Sequence, residues 1–141
     1  MMGQRIAALD VGDKRIGVAV SDALELTAQP LVVLERVSLV RDVSAVTEML
    51  ASRDVACVVV GLPLESDGKE GKQSARARQF GDALAAASGL QVVYQDERMT
   101  TLQSERILVE SGMRRERRRS VIDKMAAALI LQSYLDARSR S

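Results

Sequence analysis

The chain has no histidine, no tryptophan, one cysteine, two prolines, one phenylalanine and two tyrosines in 141 residues. The missing histidine excludes Ser-His-Asp and Cys-His nucleophilic catalysis, imidazole acid–base chemistry and histidine-ligated zinc together. Cys57 has no partner for an intrachain disulfide, and within the apolar run 55–60 it reads as a small hydrophobe rather than an activated thiol. So few aromatic rings leave base stacking unable to serve as a main recognition device. No apolar run approaches the roughly 20 residues of a membrane helix. The start, Met1 to Arg5, runs into an apolar strand without a signal-peptide core, so a cytoplasmic location is expected. Net charge is only +1, which rules out a global basic field. Hydrolytic chemistry in such a chain must run on carboxylates and metal ions.

What is present is organised by the stretch from Ile6 to Asp22. An apolar run ends in Asp10, a polar segment with Gly12 follows, and a second apolar run departs. This is a hairpin with a carboxylate at the mouth of its first strand. Gln29 to Arg36 reads as a third strand with Pro30 near its start. Ser38 caps an amphipathic helix carrying Val43, Val46, Met49 and Leu50. Val55 to Val60 reads as a strand buried on both faces. Gly61 to Gly71 reads as a loop and candidate flap. Lys72 to Ala87 reads as a helix closed by Gly89, and Leu90 to Gln95 as a further strand running into Asp96-Glu97. A helix from Thr100 or Thr101 to Gly112, a basic loop and a last helix capped by Ser120 complete the order. The pattern β-β-β-α-β-α-β-α-α predicts an α/β protein. Its sheet is mixed and five-stranded, an antiparallel meander followed by alternating β/α units, with helices on both faces. One domain is expected over 1–137, with a polar tail at 138–141.

Three acidic sites stand at the edges of apolar elements: Asp10, the Asp96-Glu97 pair, and Asp123 near the start of the last helix. Asp123 shares a helical face with Ala126, Ala127 and Ile130, and the alanines permit close approach to the sheet. Several carboxylates brought together repel unless divalent cations lie between them, and oxygen-only ligation suits Mg²⁺ or Mn²⁺. Two such ions roughly 3.5–4 Å apart would serve phosphodiester hydrolysis. The plainer reading keeps the acids apart on the surface, one favouring a helix N-terminus. Positive charge clusters at Arg114, Arg115, Arg117, Arg118 and Arg119, with Lys14 and Arg15 on the hairpin. These suit phosphate neutralisation, although hairpin charges are commonly only solvated. Arg98 is read either as a contact to the scissile phosphate or as an ion pair with a neighbouring acid.

The stretches 9–22 (LDVGDKRIGVAVSD), 60–64 (VGLPL), 96–101 (DERMTT) and 123–131 (DKMAAALIL) resemble, in order, four signatures of the YqgF/RuvX family, across nearly the whole chain. The resemblance implies an RNase H-like fold and a nuclease. It also implies a role in processing the 5′ end of precursor 16S ribosomal RNA or in resolving Holliday junctions. The family's acidic triad maps onto Asp10, Glu97 and Asp123, with Asp96 the ambiguous neighbour, and junction resolvases of this fold act as homodimers. Family members usually carry an aromatic and a threonine where this chain has Val11 and Asp13, which puts substrate handling near the hairpin in question. Two other classes remain open: a non-catalytic nucleic-acid-binding module, and a phosphotransfer domain suggested by the Asp-x-Gly hairpin, for which 141 residues leave no second lobe.

Overall fold

A computed structural model describes residues 4–97 and 114–139, together with 110 and 112. The side chains of 116, 118–124 and 139 lie outside the described residues. The elements are β1 (Arg5–Val11), β2 (Arg15–Ser21), β3 (Ala28–Glu35), α1 (Leu39–Ala51), β4 (Val55–Leu62), α2 (Lys72–Ser88), β5 (Gln91–Asp96) and α3 (Arg115–Ser139). The five strands lie in the order β3-β2-β1-β4-β5. β1, β2 and β3 form the antiparallel meander, while β4 and β5 run parallel to β1. The expected mixed α/β sheet is therefore present.

Strand alternation divides the core into two layers. Ala7, Leu9, Val11, Ile16, Val18, Val58 and Val60 pack with Val46 and Leu50 of α1 and with Phe80 and Leu84 of α2. Ile6, Ala8, Ala19 and Val59 pack instead with Ala127, Ile130, Leu131 and Leu135 of α3. This two-sided burial explains the near-continuous apolar reading of β1 and β4.

Local signals act as their chemistry requires. The Ser38 hydroxyl accepts the Arg41 N–H at 3.2 Å and caps α1. Gly89 closes α2 in the left-handed region at φ 75°. Pro30 falls where the β2–β3 register shifts, on an edge strand that tolerates a missing donor.

Three boundaries differ from expectation by two residues or more. β4 continues through Gly61 and Leu62, because β5 pairs with both. The last helix begins at Arg115 rather than after Ser120. The basic stretch read as a loop is thus helical, consistent with arginine's strong helix propensity. That helix also runs through Ser139, beyond the point where a polar tail was expected. The loop after β4, read as a flap, is tied down: Ser74 Oγ donates to the Pro63 carbonyl at 2.7 Å, and Arg78 pairs with Glu70 at 2.6 Å. The helix expected between Thr100 and Gly112 falls largely outside the described residues. Among the described residues no helix is long and apolar enough to cross a membrane.

Candidate functional site

Asp10 sits at the C-terminal end of β1 on the face covered by α3, because Ile6 and Ala8, four and two residues earlier, pack on that side. It pairs with Gly17 of β2, and a Cβ added at Gly17 would lie 3.6 Å from Ala127 Cβ and 3.7 Å from Asp10 Cβ. At this point α3 lies beside the acid. The β1–β4 pairing reaches Leu9 with Val60, so Gly61 is the next β4 residue beside Asp10, and Gly61 is in turn paired with Gln95 of β5.

Glu97 follows Gln95 by two residues and returns to the same face. Its N–H lies 3.4 Å from the Leu62 carbonyl, which prolongs the ladder past the last β5 residue. A Cβ on Gly61 would run into the Glu97 carboxylate and into Ile130 Cδ1. The Glu97 side chain therefore lies across Gly61, from β5 towards Asp10. Burial first, then the negative charges of Asp10 and Asp96, push its carboxyl from an ordinary 4.5 up to about 7. Asp96 is exposed and paired with Leu62, whose side chain belongs to the opposite core layer. Of the two adjacent acids, Glu97 is the one directed at the α3 face.

Asp123 lies in α3, one turn before Ala127, the residue seated against Gly17. Its side chain, like those of Arg118 and Arg119 and the whole of Arg98, is outside the described residues. Among the described residues no group of three acids stands close enough to hold a metal ion. Asp10 and Glu97 are thus the two described members of the expected triad. Asp13, Lys14 and Arg15 are exposed at the hairpin tip, and Arg114, Arg115 and Arg117 are exposed where α3 begins.

Two residues at the site escaped the sequence reading. Gly61 looked like the first loop residue, yet it is the floor on which Glu97 lies. The available signal was a glycine directly terminating a β-branched run. Gln95 donates from Nε2 to the Ile130 carbonyl at 3.2 Å, which fastens α3 to the strand leading into Glu97. Nothing in the sequence pattern marks that bond.

Two carboxylates offering only oxygen, one held near neutrality by burial and like charge, fit a hard divalent cation and do not fit a soft one. A meander continued by two parallel strands, with a helix covering the strand ends, defines an RNase H-like fold. The structure superposes on RuvC of Thermus thermophilus in complex with a Holliday junction substrate (TM-score 0.60, 19% identity, 96% of each chain). It also superposes on the fowlpox virus Holliday junction resolvase (TM-score 0.52, 15% identity, 95% of this chain and 99% of that one). At such identities these likenesses speak for the fold. The chain belongs to the RuvX family, described as Holliday junction resolvase, which residues 4–137 match. Similar proteins include one from Symbiobacterium thermophilum, 50% identical over 135 residues (96% of this chain and 94% of that protein). Another, from Caldanaerobacter subterraneus, is 47% identical over 138 residues (97% and 99%). Both carry the name "Putative pre-16S rRNA nuclease".

Proposed function

We propose that the chain is a divalent-metal-dependent endonuclease or exonuclease that hydrolyses phosphodiester bonds of structured nucleic acid in the cytoplasm. The 5′ end of precursor 16S ribosomal RNA is its first substrate and the four-way DNA junction its second. The observation that carries this reading is the Glu97 side chain laid across Gly61 towards Asp10, at neighbouring strand ends. The names of the two bacterial relatives support the RNA substrate, and the family's description supports the junction.

Asp10, Glu97 and Asp123 would hold Mg²⁺ or Mn²⁺, with Asp96 nearby as a source of negative charge. The ions would supply Lewis-acid activation of water and neutralisation of charge on the leaving oxygen. The protein's own residues do the rest. Gly61 leaves room for Glu97 to lie across the strand ends, and burial of Glu97 keeps bulk water away from one side of the site. Arg98 and the arginines from Arg114 to Arg119, with Lys14 and Arg15, would meet backbone phosphates. A four-way junction has two symmetric cleavage points, so the junction reading requires two copies of the chain, related by a two-fold axis.

The test is cleavage of a precursor 16S 5′ fragment and of a synthetic four-way junction, with Mg²⁺, Mn²⁺ or EDTA. Expected are metal-dependent cleavage and a fall of at least about a hundredfold in Asp10→Asn and Glu97→Gln. Binding without cleavage under every metal condition would leave a nucleic-acid-binding module and overturn the enzyme reading. Sedimentation of the protein on the junction separates two bound copies from one.

A further inference from the structure

We infer that Arg36 is a positioning residue of this nuclease site, acting through the β1–β2 turn that follows Asp10; the inference rests on the metal-dependent reading above. Arg36 comes just after β3 and reaches three elements at once. Its Nη1 donates to the Gly12 carbonyl at 3.1 Å, and its Nε donates to Asp42 Oδ2 at 3.2 Å in the first turn of α1. Its guanidinium carbon stands 5.5 Å from the centre of the Phe80 ring of α2. Its backbone N–H donates to the Lys14 carbonyl at 2.9 Å, so main chain and side chain grip the same turn. The other Asp42 oxygen accepts the Val37 N–H at 3.1 Å. The ion pair is nearly closed to solvent, with side chains 16% and 7% exposed.

The turn itself is tight. Gly12 N–H donates to the Arg15 carbonyl at 2.9 Å, and a Cβ on Gly12 would stand 3.0 Å from that same oxygen. Beyond it the tip carries the exposed Asp13, Lys14 and Arg15. Asp10 precedes this turn by two residues. The bond between Arg36 and Asp42 alone would fasten α1. The additional bond to Gly12 reaches only the hairpin, and its effect falls on the segment that aims Asp10. A planar guanidinium can serve Gly12 and Asp42 from different nitrogens, whereas a lysine ammonium on a flexible stem keeps the charge and not the fork. A displacement of about 1 Å in a reacting constellation can cost on the order of a hundredfold in rate.

The discriminating variant is Arg36→Lys, measured beside Val43→Ala, a core truncation next to Asp42 in α1 that lowers stability without removing a hydrogen bond to the turn. Rates are taken per folded molecule, and nucleic-acid affinity is read by fluorescence anisotropy in Ca²⁺. Expected for Arg36→Lys are a kcat at least about tenfold lower, a higher Mn²⁺ concentration for half-maximal rate, and an unchanged Kd for nucleic acid. Val43→Ala should lose thermal stability and keep kcat and the Mn²⁺ requirement. An Arg36→Lys protein with wild-type kcat and Mn²⁺ requirement overturns the inference and leaves the nuclease reading standing. So does a rate loss that Val43→Ala matches at equal stability, or an Arg36→Lys chain folded at no temperature, since either makes Arg36 a folding residue. Absence of cleavage by the wild type overturns both readings.

Discussion

Glu97 opposes folding when no cation is near it. Its carboxyl is pushed from 4.5 to about 7 in the folded chain, so folding favours the protonated acid. That destabilisation is absent below about pH 4.5, grows as pH rises to about 7, and is constant above it. Glu97→Gln should therefore leave the metal-free protein unchanged at pH 4.5 and stabilise it at pH 8, by about 2 kcal/mol after allowance for partial exposure, while abolishing cleavage. Urea unfolding in EDTA at the two pH values checks this; equal gains at both would show that ionisation of Glu97 is not the cause. The two glycines of the site should behave oppositely. Gly61→Ala drives a methyl into the Glu97 carboxylate and Ile130 Cδ1, both side-chain ends that can turn aside, and should cost only about 1 kcal/mol while displacing Glu97 and removing most of the activity. Gly17→Ala meets only ordinary contacts at 3.6 and 3.7 Å, and should stay within about 1 kcal/mol of wild type. Thermal melts and initial rates of the pair decide it. Asp10 was legible in the sequence because it ends an unmistakable buried strand. The choice of Glu97 over Asp96 came from the family resemblance and not from the residue pattern, because adjacent residues point to opposite faces and the face of a short edge strand is fixed only by its neighbour's register. Gly61 was hidden for the same reason: a glycine closing a strand and a glycine opening a loop are spelled alike.

At the scale of elements, the hairpin and α3 are the two parts that bring the site together, and side-chain amides hold α3 at both edges of the sheet. Gln95 reaches it from β5, while Gln132 accepts the Ala28 N–H at 3.0 Å and donates to the Leu26 carbonyl at 3.2 Å beside β3. These bonds cover the start of an edge strand that would otherwise offer unpaired groups. Gln132→Leu should cost about 1–2 kcal/mol and speed hydrogen exchange at the Ala28 amide, with the rate per folded molecule preserved. Exchange mapping by NMR checks it, and a lost rate at full folding would instead give Gln132 a part in the site. The caps that bound α1 and α2 could be read directly, because Ser38 and Gly89 act through their own local chemistry. The start of α3 could not. A dense run of arginines resembles a solvated loop by charge and a helix by propensity, and only its continuity with the apolar stripe ahead decides between them.

At the scale of the whole molecule, charge rather than shape separates substrate capture from catalysis. A net charge of +1 gives no long-range field to draw in a polyanion, so attraction must be local. Arg114, Arg115 and Arg117 are exposed where α3 begins, and Asp123 follows on that helix eight residues beyond Arg115. A phosphate backbone caught there lies about 12 Å along the helix from that acid, at 1.5 Å of rise per residue, roughly two nucleotides of an extended strand. On the proposed nuclease reading the patch would be a dock beside the acids and not part of them. Each arginine that meets a phosphate releases about one counterion, so affinity should fall steeply with salt, and Arg115→Gln/Arg117→Gln should make the log–log slope shallower by about two. The loss should be similar for any sequence of the same shape, because backbone contacts position without reading bases. In kinetics the double variant should raise KM and leave kcat intact, the reverse of the pattern expected from Arg36→Lys. Anisotropy titrations from low to high salt, set beside single-turnover rates at saturating protein, resolve the two. A fall in the single-turnover rate with no change in the salt slope would move these arginines from the dock into the reacting centre.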